Sequence, residues 1–149
     1  VSIGHTAAAF SGMNASRCTV RFNAAQAIGN NAWESVDWDL EDDRGAMHSL
    51  VSNIDTVNNR RPGVYRLTAG VSFAANATGQ RGIRFYEQGS EVPGSTVLVN
   101  AAAVGETSLV TTITLELTRT RNLVLGLFQD SGGNLNAQTT TRFTVEQIG

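Results

Sequence analysis

An all-β sandwich of the jelly-roll type is what this sequence predicts, and three observations carry the prediction. Long runs alternate apolar and polar residues with a period of two, as in Tyr65, Leu67, Ala69, Val71 and Phe73. Glycine and asparagine turns separate these runs at short intervals, and no stretch sustains a helical period. Counting gives about eight to ten strands, closer to an eight-stranded jelly roll than to a seven-stranded immunoglobulin sandwich.

The elements follow in order. Residues 1–16, rich in Ser, Gly, Ala and Asn, keep neither period and read as a flexible arm, so the folded domain is placed at residues 17–149. The run CTVRFNA points Cys18, Val20, Phe22 and Ala24 to one face and forms a first strand. A turn at Gly29, Asn30 and Asn31 leads into WESVDWDL, a strand expected to bend near Ser35 because Trp33 and Val36 fall out of phase; Trp33 and Trp38 are both expected to cover core edges. Residues 39–60 are polar and broken, an ordered loop with one or two brief strands and an apolar patch at residues 47–51.

The long Tyr65 strand comes next, opened by Pro62-Gly63. GIRFYEQ then places Ile83 and Phe85 on one face, and Gln88-Gly89 and Pro93-Gly94 turn the chain into TVLVNAAAV. In SLVTTITLEL, Leu109, Thr111, Ile113, Leu115 and Leu117 oppose Val110, Thr112, Thr114 and Glu116. RNLVLGLFQ is apolar on both faces, which predicts a strand covered twice, by its own core and by a second sheet or a neighbouring subunit. DSGGNLN is a turn, and TTTRFTVEQIG closes the chain with Phe143 and Val145 facing inward.

Composition bounds what such a sandwich can do. At 149 residues and 41% hydrophobic, the chain makes one domain able to bury its own core. A net charge of −2 offers no basic field for phosphates, so nucleic acid is not an expected partner. Every Lys or Arg position is arginine, a composition that a GC-rich genome explains more readily than an interface rich in carboxylate contacts, so it decides nothing alone. Cys18 is the single cysteine, so no internal disulfide can form. The opening VSIGHTAAAF lacks the marks of a signal segment, and no run approaches the ~20 apolar residues of a membrane span, so a soluble chain with no membrane partner is expected.

The order of motifs resembles the tumour-necrosis-factor and complement globular-head superfamily. Asn31-Ala32-Trp33 ends the first part, Pro62-Gly63-Val64-Tyr65 opens the central strand, and the apolar run 123–128 precedes Gly132-Gly133 and Phe143. The resemblance covers nearly all of residues 17–149. Two longer pieces, residues 23–51 and VSFAANATGQRGIRFYEQG, resemble the version of this domain found in bacteriophage and bacterial surface proteins. Superfamily members are homotrimers, so the resemblance implies a homotrimer. The doubly apolar run independently suggests a neighbour on its outer side. Tyr65, Phe73, Leu125, Leu127 and Phe128 are the residues expected at that interface.

No catalytic, cofactor or metal site is expected. The only histidines are His5 in the arm and His48 in a loop, neither in a catalytic motif. The acidic run Asp37, Asp39, Glu41, Asp42 and Asp43 could offer oxygens to a hard cation, but it lacks calcium-loop spacing and alternates with Trp38 and Leu40 like the wet face of a strand. The glycosylation patterns Asn14-Ala15-Ser16 and Asn76-Ala77-Thr78 carry no weight, and the turn glycines form no phosphate loop.

The function expected is that of a bacteriophage virion structural protein, a homotrimeric decoration or cement protein on the outer capsid surface. Its partners would be the major capsid protein, gripped by arm residues Val1, Ile3, His5 and Phe10, or tail components. The alternative is a tail-tip or baseplate receptor-binding or minor tail protein using Trp38, the acidic loop or Tyr86 as contacts.

Overall fold

The structure, a computed structural model, describes residues 16–149. The chain runs through β1 (Arg17–Arg21), β2 (Gln26–Ile28), β3 (Leu40–Arg44), β4 (Thr56–Asn58), β5 (Gly63–Phe73), β6 (Gln80–Glu87), β7 (Ser90–Glu91), β8 (Val97–Asn100), β9 (Thr107–Leu117), β10 (Asn122–Gln129), β11 (Leu135–Ala137) and β12 (Arg142–Gln147). The described residues contain no helix.

Two antiparallel sheets face each other. In the seven-stranded sheet β5 is central: β9 pairs along one edge, and β12, β1 and β3 follow in turn from the other. The short β11 continues the β12 edge, meeting β5 at Ala137 and Phe73, and carries β2 beyond it. The five-stranded sheet is β4-β10-β6-β7, with β8 also on β6.

The strict alternation of β5 has a direct structural counterpart, since Tyr65, Leu67, Ala69, Val71 and Phe73 all point inward and are buried. Cys18 and Val20 of β1 and Phe143 and Val145 of β12 line the same floor, facing Ile83, Phe85, Leu123, Leu125 and Leu127 from the other sheet. Aromatic rings bridge the layers: Phe22 stacks on Trp38 at 5.6 Å, Trp38 reaches Phe143 at 6.4 Å, and Phe143 meets Phe85 at 5.4 Å.

The structure departs from the sequence expectation in particular places. Residues 33–39 form no strand; one bridge pairs Glu34 with Leu127, and regular pairing begins only at Leu40. The phase break at Ser35 is thus a crossing from one sheet to the other, with Trp33 outside the five-stranded sheet and Trp38 inside the core. Ala24 is exposed, because β1 ends at Arg21. Met47 is buried while Leu50 and Val51, in the same apolar patch, are exposed. The described residues form twelve strands rather than eight to ten, the surplus being pieces of two or three residues. Ser16, placed at the end of the arm, is buried, and its carbonyl accepts the Gln147 amide at 2.8 Å.

Candidate assembly face

The outer side of β10 decides how far its doubly apolar pattern speaks for a neighbour. Val124, Gly126 and Phe128 face outward there, between the inward Leu123, Leu125 and Leu127. This outward row is roofed by the chain itself. Trp33 packs on Phe128 with ring centroids 5.4 Å apart, and Tyr86 lies over Gly126. Arg84 stacks on Trp33 at 3.9 Å, donates from Nε to the Tyr86 hydroxyl at 2.8 Å and pairs with Glu91 at 3.0 Å.

The two strand glycines under this roof have a steric reason. A Cβ on Gly82 would sit 2.8 Å from Trp33 and 2.7 Å from Leu98, and one on Gly126 would run into the Tyr86 ring. The outer apolar face is therefore covered within one subunit.

That geometry corrects the expected interface. Tyr65, Phe73, Leu125 and Leu127 are all at most 1% exposed inside a single chain, which leaves them no surface to give a neighbour. Tyr65 further donates its hydroxyl to the Arg61 carbonyl at 2.8 Å. Of the five, only Phe128 faces outward, and Trp33 covers it. The error is one of cover: alternation shows that both faces of β10 are apolar, not which residues lie over the second. Val1, Ile3, His5 and Phe10 fall outside the described residues.

The seven-stranded sheet presents a different outer face. Its central row runs Asp42, Thr19, Thr144, Thr68, Thr112 across five strands, with Thr19 and Thr144 hydroxyls 2.9 Å apart and those of Thr68 and Thr112 3.1 Å apart. On one side lies a row of Arg44, Arg17, Glu146 and Arg66, in which Arg17 pairs with Asp42 at 3.4 Å and Arg66 with Glu146 at 3.2 Å. On the other side Arg21 and Arg142 stand directly opposite each other on β1 and β12, next to Gly70. Neither guanidinium has a hydrogen-bond or ion-pair partner among the described residues. All of these side chains except Arg44, Arg66 and Thr112 line a groove of about 610 Å³.

No protein-family model matches the sequence, and no curated protein matches it. Solved structures do match in shape. The globular domain of zebrafish complement 1qA superimposes with a TM-score of 0.67 at 11% identity, over 90% of this chain and 98% of that one. Murine APRIL at pH 8.0 follows with a TM-score of 0.66 at 16% identity, again over 90% of this chain and 98% of the other. The fold is the tumour-necrosis-factor and complement-head jelly roll. At these identities the likeness speaks for backbone architecture, and this jelly roll's own side chains must supply the rest.

The acidic run does not converge in this jelly roll. Asp39 accepts the Asn23 amide at 3.0 Å, Asp42 faces the arginine rows, and Asp37 and Asp39 are exposed. Glu41, Asp43 and the thiol of Cys18 do come within 4.8 Å of one another. Asp43 already accepts the Met47 and His48 amides, each at 2.8 Å, and Glu41 meets His48 Nδ1 at 3.0 Å. The other ring nitrogen of His48 donates to the Ile54 carbonyl at 2.8 Å. These groups pin the loop from Met47 to Ile54 onto the β3 edge.

Burial, then Asp43, Glu41 and Asp42, push the Cys18 thiol upward, so it stays protonated and a poor nucleophile. The folded protein should therefore resist an aromatic disulfide reagent and release one equivalent of thiolate only after denaturant is added. Prompt labelling of the native protein would mean that the β1/β3 edge opens in solution.

Trp38, expected among receptor contacts, is 1% exposed and touches only core, while Tyr86 is held by Arg84. Residue reasoning missed the Arg21–Arg142 pair. Its trace in the sequence is the matching order Arg17-Thr19-Arg21 and Arg142-Thr144-Glu146 on alternate positions, whose meaning needs the β1/β12 register.

Proposed function

We propose that the chain is a non-enzymatic bacteriophage virion protein, a homotrimeric jelly-roll head that decorates the outer capsid surface and grips the shell through residues 1–15. The observation that carries the reading is a self-contained head with both inner faces closed, so that its outer surfaces and termini are left to do the work. Catalysis finds little to use: His48 is the sole histidine among the described residues and both its nitrogens are engaged, and the only thiol is buried. The trimer follows from the superfamily resemblance. The virion setting rests on residues 23–51 and on the FAANATG segment at residues 73–79, where Gly79 takes a φ of +80° against Asp130.

Light scattering at micromolar concentration is expected to give three times the chain mass of 15.8 kDa. Labelled protein is expected to coat capsids, and a chain lacking residues 1–15 to remain trimeric without coating them. A stable monomer would reject the trimer. Undiminished coating by the shortened chain would reject the arm, and label confined to the tail would replace decoration with host recognition.

A further inference from the structure

Strand β3 turns two carboxylates toward the inner side of its sheet. Cys18 of β1 stands directly opposite Asp43, and Val20 opposite Glu41, so both acids share a side with the buried Cys18 and Val20. The neighbouring arginines do not serve them: Arg17 and Arg44 both reach Asp42, on the outward side of the same strand, at 3.4 and 3.8 Å. Among the described residues no guanidinium pairs with Glu41 or Asp43. The Met47 and His48 amides use part of the accepting capacity of Asp43 and leave lone-pair room on its Oδ1. Cys18 Sγ, on a residue 0% exposed, makes no hydrogen bond among the described residues and lies within 4.8 Å of a carboxylate oxygen of each acid.

His48 points independently to a cation. Its side chain is 0% exposed. Nε2 lies 2.8 Å from the Ile54 carbonyl, which can only accept, so that nitrogen carries the hydrogen of the neutral ring. Nδ1 then presents a bare lone pair, and at 3.0 Å it faces Glu41 Oε2, a second electron-pair donor. Two lone pairs at that distance repel unless a cation lies between them. An N–H to carbonyl bond on the far side of the ring is also how a histidine is oriented as a metal ligand.

We infer that β1, β3 and the loop after β3 bind one zinc ion, through Cys18 Sγ, Glu41, Asp43 and His48 Nδ1. The donor set selects the metal: a thiolate and an imidazole suit zinc, whereas calcium and magnesium take oxygen ligands. Zinc holds such ligands about 3.2–3.8 Å apart, so Glu41 and His48 are already near that spacing and the thiolate and carboxylates close in by about 1 Å. Glu41, with a side chain 22% exposed, has the freedom for that move and opens the site to solvent. On binding, the S–H bond of Cys18 breaks, a Zn–S bond forms and the proton leaves to solvent. Four protein ligands leave no open position, so the metal is a staple that ties residues 47–54 to the sheet edge in a chain with a single cysteine and no internal disulfide. Nothing in the inference depends on subunit assembly or on the virion reading.

The test adds zinc chloride or cobalt chloride to the metal-stripped full chain under reducing conditions. Zinc is expected to bind one per chain, to raise the unfolding midpoint, and to release a proton, read as a heat that changes with the ionisation enthalpy of the buffer. Cobalt is expected to give the near-ultraviolet charge-transfer band of a thiolate ligand, and with one cysteine in the chain that band reports Cys18 alone. Cys18→Ser is expected to abolish the band, and Glu41→Gln and His48→Gln to weaken zinc binding by about tenfold or more. Glu106→Gln, in the β8–β9 loop, is expected to bind as the parent does. Absence of both the band and the stabilisation would leave a proton between His48 and Glu41 and overturn the inference. Zinc affinity unchanged by Cys18→Ser would place the metal elsewhere on the chain and overturn it equally. Circular dichroism is recorded on every variant first. Where Cys18→Ser or His48→Gln fails to fold, the parent's cobalt band and the affinity of Glu41→Gln, at a partly exposed position, decide.

Discussion

Replacing Arg81 with alanine is expected to lower folding stability by about 3–5 kcal/mol, the scale of a large core truncation that also strands buried polar groups. Arg81 alternates in phase with Ile83 and Phe85, so β6 drives a guanidinium into the interior, where the residue is 0% exposed. Its Nη1 donates to the Thr78 and Gln80 carbonyls at 2.9 Å, its Nη2 donates to the Asn76 carbonyl at 2.8 Å, and the group lies 6.0 Å from the Phe73 ring centroid. One side chain thereby satisfies two carbonyls of the turn between β5 and β6, which join the two sheets, and a third at the start of β6. Burial lowers its pKa, and the nearby Asp130 carboxylate acts in the opposite sense.

Denaturant titration of two variants tells which property matters. Arg81→Met keeps most of the volume but donates nothing, and is expected to remain about 2 kcal/mol below the parent because the carbonyls lose their donors. If methionine restores full stability, the guanidinium is only filler and the hydrogen-bond account fails.

The residues show why some of this was legible in the sequence and some was not. Strands β5, β9 and β12 are half-buried antiparallel strands, and their period of two is the direct imprint of one dry and one wet face. The roof over β10 left no such imprint, because Trp33 arrives from about ninety positions earlier along the chain and periodicity carries no information about long-range cover. Arg81 reads as one more polar residue after a turn, since nothing local marks the three carbonyls it must serve. The arginine face depends on register: Arg21 and Arg142 become neighbours only when β1 and β12 pair in one particular alignment. The fold was visible wherever a strand's own sequence determines its faces, and the candidate face was hidden because it is a property of strand pairs.

The two tryptophans offer the second large effect, and they separate core from roof. Trp38→Ala is expected to cost about 3–5 kcal/mol, whereas Trp33→Ala is expected to cost about 1–2 kcal/mol. Trp38 is 1% exposed and packs on Phe22 and on Phe143, whose ring in turn meets Phe85 of the other sheet, so its loss leaves a cavity bounded by aromatic rings. Trp33 packs against Phe128 on one side and beneath Arg84 on the other, at a half-buried site that water can refill. A third variant sharpens the contrast: Trp38→Phe removes a buried indole N–H that has no acceptor among the described residues, and should cost less than about 2 kcal/mol despite the smaller ring. Thermal and denaturant unfolding of the three variants gives the ranking directly. If Trp33→Ala proved the more damaging, the five-stranded sheet would depend on its outer roof more than on the shared core, and the closed, self-sufficient subunit drawn from the β10 geometry would have to be abandoned.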